Sequence, residues 1–146
     1  MRILGLDVGE KRVGVALGDP TGLLATPLTT IERRGSPSDA DEILRIATEH
    51  NVGEIVVGMP LTLSGQVGTQ AKKVAWFTRL LAERTALPVR TVDERFSSVQ
   101  AEKLLRAAGI VPSRNKARVD SAAAAVILQS FLDSRRSGTA NTATTI

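Results

Sequence analysis

Residues 2–19, RILGLDVGEKRVGVALGD, form two apolar runs joined by a charged turn, and an aspartate stands inside the first run. Both runs have the length and composition of strands, and Gly9-Glu10-Lys11 suits a three-residue hairpin connection. That pairing puts Asp7 late in a strand otherwise built for burial. A carboxylate in such a place is costly unless something compensates it. Backbone N–H groups of the turn could do so, and so could a cation.

The rest of the chain narrows the surroundings. Its 146 residues suit one domain, long enough to bury a core without staples. With 42% hydrophobic but only 3% aromatic residues, that core is built from Leu, Ile, Val and Ala. Cysteine is absent, which excludes disulfides, thiolate metal sites and a cysteine nucleophile. No N-terminal stretch resembles a signal peptide, and no apolar run approaches a membrane span. The expectation is a soluble cytoplasmic protein.

Residues 23–32 read as a third, edge strand, since Pro27 is tolerated at an edge. A helix follows from Ser36, with Ile43, Ile46 and Ala47 at helical spacing. EIVVGMP (54–60) has the unbroken apolar character of a buried parallel strand. LTLSGQVG (61–68) is a polar loop in which Thr62, Ser64 and Gly65 either meet a phosphate or simply connect. A long helix spans about 69–85, and in it Trp76 reads as a core residue rather than a base-stacking platform. PVRTVDE, opened by Pro88, is a fifth strand. Ser97 begins a helix with a capping-box pattern that Gly109 closes. A last helix runs from about Asp120 to Arg135, and the polar tail 137–146 reads as disordered. The order predicts an α/β fold: a mixed five-stranded sheet, three antiparallel strands then two parallel, flanked by helices in a single domain over 1–136.

Three carboxylates then stand out. Asp7 ends the first strand, Asp93 and Glu94 end the fifth, and Asp120 opens the last helix. If they converge, each pair at about 4 Å repels by roughly 4 kcal/mol at an effective dielectric near 20. Such a cluster needs a cation, and oxygen-only ligands favour Mg²⁺ or Mn²⁺. Asp93 and Glu94 point to opposite faces, so at most one looks at the cluster. Taken singly, Asp120 has an ordinary explanation in the pull of a helix N-terminus on a carboxylate. Ala122–Ala125 carry little bulk and would let the last helix lie close to the sheet, although alanine is also the best helix former. The net charge is +4, and six cations (Arg95, Lys103, Arg106, Arg114, Lys116, Arg118) gather between positions 95 and 118. They form either a solvated face or a phosphate-tracking surface. Arg12 either clamps a phosphate or pairs with the carboxylates.

GLDVGEKRVGVALGD, IVVGMPLTLSG, VDERFSS and KARVDSAAAAVIL, in this order and spacing, resemble the YqgF/RuvX family of Holliday-junction-resolvase-like nucleases over roughly residues 1–135. The resemblance implies a ribonuclease H-like fold and a cytoplasmic, metal-dependent nuclease for structured nucleic acid, with Mg²⁺ or Mn²⁺ as cofactor. It implies maturation of the 5′ end of the pre-16S rRNA, or alternatively resolution of branched DNA. By matching motif, Asp7, Glu94 and Asp120 would be the catalytic and metal-binding residues, with Arg12, Arg95 and Lys116 as nucleic-acid contacts. A non-catalytic nucleic-acid-binding factor in ribosome assembly needs the same basic face but not the three carboxylates. Actin-like ATPases share the strand-aspartate-glycine opening but need two domains. Monomer and weak homodimer are both compatible with the sequence.

Overall fold

β1 (Arg2–Val8) and β2 (Arg12–Gly18) pair antiparallel as a hairpin, with Asp7 directly opposite Gly14. Their turn closes through the Gly9 N–H, which donates to the Arg12 carbonyl at 2.9 Å. The computed structural model describes residues 1–60, 68–93, 116–137 and 143–145, and for 116–118, 137 and 143–145 it describes the backbone alone. β3 (Ala25–Glu32) adds antiparallel to β2, and α1 (Ser36–Glu49) follows. β4 (Val52–Met59) and β5 (Val89–Asp93) join parallel on the other side of β1, with α2 (Thr69–Glu83) between them. α3 (Lys116–Ser137) follows. The strand order β3-β2-β1-β4-β5 is the expected mixed ribonuclease H-like sheet. The expected helix over 97–108 and most of the loop 61–68 lie outside the described residues.

Two features depart from expectation. A sixth strand, β6 (Ala143–Thr145), pairs antiparallel with β5 through a segment read from sequence as disordered tail. β5 would otherwise present an open edge of backbone donors and acceptors, and the β-branched pair Thr144-Thr145 is suited to cover it. The last helix also begins at Lys116, a full turn before the expected start at Asp120. Asp120 is therefore inside the helix. Attraction to a helix N-terminus, which fades within the first turn, does not account for it.

Alternation along the strands divides the interior into two layers. Leu4, Leu6, Val8, Val13, Val15, Leu17, Ile55 and Val57 face α1 and α2, where Ile43, Val74, Phe77 and Leu81 are buried against them. Ile3, Ala16, Val56 and Val92 point the other way and pack against Ala124, Leu128, Phe131 and Leu132 of α3.

On that second face the strand residues are small. A methyl group on Gly5 would stand 2.7 Å from the Leu128 Cβ and 3.1 Å from the Ala124 carbonyl oxygen. On Gly14 it would fall 1.9 Å from the Asp120 carbonyl oxygen. The helix backbone thus lies directly on the strands, with Asp120, Ala124, Leu128, Phe131 and Arg135 along one stripe at helical spacing.

The far end of this stripe is tied by charge. Arg135 donates two parallel hydrogen bonds to the Glu54 carboxylate, each 2.8 Å, and stacks its guanidinium 4.4 Å from the Phe131 ring centroid. Arg90 of β5 pairs with the same carboxylate. Burial opposes ionisation of Glu54, but the hydrogen bonds from Arg135 and Arg90 outweigh it and hold its carboxyl below the usual glutamate value. A carboxyl lowered in this way stabilises the fold fully above the ordinary glutamate range near pH 4.3, and that contribution is lost as the pH falls through the lowered folded value. Glu54→Gln is therefore expected to be less stable than the parent at about pH 7. Urea unfolding followed from that pH downward will show the difference shrinking in the acid range.

Candidate active site

Asp7 stands near the C-terminal end of β1, half-buried, on the same face as Ile3 and Gly5. Its cross-strand partner Gly14 has no side chain, and the backbone of Asp120 occupies the space that a side chain would fill. Directly opposed residues on one face of an antiparallel pair have Cβ positions about 5 Å apart. Asp120 of α3 is therefore seated over the Asp7–Gly14 pair, and two acids more than a hundred residues apart share one corner of the sheet.

Arg12 joins them. It lies two residues before Gly14, on the same face, and its Nε donates to Asp120 Oδ2 at 2.6 Å. The side chains are 26% and 27% exposed, so the pair forms the solvent edge of the corner. The hydrogen bond to Asp120 and the charge of that carboxylate raise the Arg12 pKa above its ordinary value. Of the two roles open to Arg12 from sequence, the structure records the ion pair.

The turn between β1 and β2 is braced from behind by a group the sequence did not single out. Asp39, in the first turns of α1, is almost fully buried. It accepts hydrogen bonds from Arg33 Nε at 3.1 Å and from the Arg34 N–H at 2.9 Å. Arg33 in turn donates to the Gly9 carbonyl at 3.0 Å and lies 4.9 Å over the Phe77 ring. At the same turn Lys73 of α2 reaches Glu10 at 3.2 Å. The loop between Asp7 and Arg12 is thus held from α1 and α2 while α3 closes the other side.

The remaining expected residues divide. Glu94 and Arg95 lie outside the described residues, as does the side chain of Lys116, whose backbone forms the first turn of α3. Asp93 is exposed and registered opposite Met59, on the sheet face of Val89, away from α3. Among the described residues no group of three metal-ligating side chains comes together. Asp7 and Asp120 stand at the same corner of the sheet, and both offer oxygen alone. A hard divalent cation fits that donor set. Trp76 is not in the core: it is 59% exposed on the outer side of α2. Among the described residues no helix is long and apolar enough to cross a membrane.

The seat for α3 has a signal in the sequence. Gly14, Ala16 and Gly18 alternate with Val13, Val15 and Leu17, so one face of β2 is bulky and the other nearly bare. A bare strand face marks the close approach of another backbone.

The family model described as RuvX, Holliday junction resolvase, matches residues 1–134. The chain belongs to the RuvX family. Membership places it among hydrolases acting on phosphodiester bonds. A RuvX-type relative from Trichormus variabilis, named "Putative pre-16S rRNA nuclease", is 52% identical over 133 residues, covering 91% of this chain and 88% of that protein. One of the same name from Synechocystis is 49% identical over 134 residues, covering 92% and 88%. Among solved structures, Thermus thermophilus RuvC in complex with a Holliday junction substrate aligns with a TM-score of 0.66 at 18% identity, covering 100% of this chain and 99% of that one. The fowlpox virus Holliday junction resolvase aligns with a TM-score of 0.57 at 13% identity, covering 92% and 99%. At such low identity these two structures establish the shared fold.

Gly14→Ala is expected to cost roughly 1–3 kcal/mol, because the new methyl group meets helix backbone that has no room to move aside. Arg12→Gln removes an ion pair open to solvent and is expected to cost less. Urea midpoints of the two variants, measured side by side, check the ranking.

Proposed function

We propose that this RuvX-family chain is a divalent-metal-dependent nuclease that cuts structured RNA at the 5′ end of the small-subunit rRNA precursor. The observation that carries the reading is the seating of Asp120 on Gly14, directly across from Asp7. Two short carboxylates brought to one corner by a helix lying on bare strand are a poor way to stabilise a fold and a good way to hold a hard cation. Mg²⁺ or Mn²⁺ bound there would supply an activated water and a counter-charge for the phosphodiester.

Asp7, Asp120 and Glu94 are proposed as the residues that hold it. Asp93 occupies the face of β5 turned away from α3, and the VDER motif favours Glu94. Arg12 is proposed to act in two ways. Without substrate it neutralises Asp120, and with substrate its guanidinium is close enough to the same corner to meet a phosphate oxygen. Arg95 and Lys116 are proposed as further phosphate contacts, on the basis of their positions in the VDER and KARVD motifs. Cytoplasmic location follows from the same reading, since the rRNA precursor is an intracellular substrate.

RNA is preferred over branched DNA because the relatives near 50% identity carry the pre-16S rRNA name. The family description as a Holliday junction resolvase supports the second reading. One assay separates them: the purified chain with Mg²⁺ or Mn²⁺ on precursor rRNA and on a four-way DNA junction. Asp7→Asn and Asp120→Asn are each expected to lower cleavage by about a hundredfold or more while RNA binding persists. Undiminished cleavage by either variant removes that residue from the site. Binding without any cleavage by the parent chain would favour the ribosome-assembly factor.

A further inference from the structure

Trp76 is a large apolar side chain with no part in the core. α2 buries Ala71, Val74, Phe77, Thr78 and Leu81 against the sheet. Its outer side presents Lys72, Trp76 and Arg79, spaced four and three residues apart, so that the indole has a cation on either side along one helical stripe. Neither Lys72 nor Arg79 has an ion-pair partner among the described residues. The first turns of the same helix stand beside the β1–β2 turn, where Lys73 meets Glu10 at 3.2 Å. Trp76 follows Lys73 by about one helical turn, a distance near 5 Å.

From this juxtaposition we propose that the Lys72–Trp76–Arg79 stripe binds an unpaired stretch of nucleic acid flanking the scissile bond. One base stacks on the indole, and the phosphates on either side meet Lys72 and Arg79. An exposed ring between two exposed cations is complementary to a chain that alternates flat rings with negative charge. A second copy of this chain is a poor occupant, because a two-fold contact would set like charges against one another. A blunt duplex is poor too, since its bases are already stacked on each other. The inference rests on the nuclease reading and adds a preference: the enzyme favours substrates whose strand is single beside the cut.

Trp76 is the chain's single tryptophan, and tyrosine is absent, so intrinsic fluorescence reports on this residue alone. The Asp7→Asn chain, in magnesium buffer, is titrated with a mixed-sequence single-stranded RNA, the same sequence as a blunt duplex, and the duplex with a single-stranded overhang. Stacking is expected to quench the emission with the single strand and the overhang, and far less with the blunt duplex.

Added to that background, Trp76→Ala is expected to weaken overhang binding about tenfold, while Trp76→Phe retains most of it. Lys72→Gln with Arg79→Gln is expected to lower the salt dependence of single-strand binding by roughly 1.4 in log–log slope. Unquenched emission together with unchanged overhang affinity in Trp76→Ala overturns the proposal and leaves the nuclease reading standing. A blue shift that grows with protein concentration alone, without nucleic acid, also overturns it by assigning the stripe to self-association. Failure of every probe to bind, with no cleavage by the parent chain, takes down both.

Discussion

The close approach of α3 to β1 and β2 is the constraint on which the rest of the molecule depends. The helix backbone at Asp120 stands directly over Gly14, and Leu128 and the Ala124 carbonyl lie against Gly5. Contact at this distance permits one register of helix on sheet. The stripe Asp120, Ala124, Leu128, Phe131 and Arg135 therefore acts as a ruler laid across the strands. One end falls at the tip of β1 beside Asp7, and the other reaches Glu54 near the start of β4.

Charge secures both ends of that ruler, with different consequences. At the Glu54 end, two arginines meet one partly buried carboxylate. Around Glu54 two guanidinium groups meet one carboxylate, so positive charge is in excess there. At the Asp120 end, Arg12 pairs with Asp120 at the solvent edge of the corner that also carries Asp7. That corner is the one proposed to hold a hard cation, whereas the Glu54 end ties the helix to the sheet.

Much of this was readable in advance. The hairpin, the buried parallel strand 54–60 and the helices around 36–49 and 69–83 followed from periodicity and turn chemistry, because those features depend on neighbours in the chain. Asp7 was conspicuous because charge in an apolar strand is rare. Other features misled for equally physical reasons. Apolarity alone points Trp76 to the core, yet the helix buries Phe77 and leaves its neighbour outside, a choice set by a rotation of 100° per residue. An aspartate at 120 resembles a cap and suggests a helix start there, while KARV simply belongs to the helix. The strand at 143–145 is polar and weakly patterned, and only the open edge of β5 gives it a partner.

The amino-acid sequence by itself determined the alternation of strands and helices, the bare face of β2 and the presence of acids at strand and helix positions, since each is a local matter of spacing and side-chain size. Tertiary structure alone decided that Asp120 rests on Gly14, that Arg12 turns to Asp120, and that Asp39 and Arg33 brace the turn from behind. Those contacts join residues brought together by the sheet rather than by the chain. Their geometry exists only once the helix has settled onto the strands.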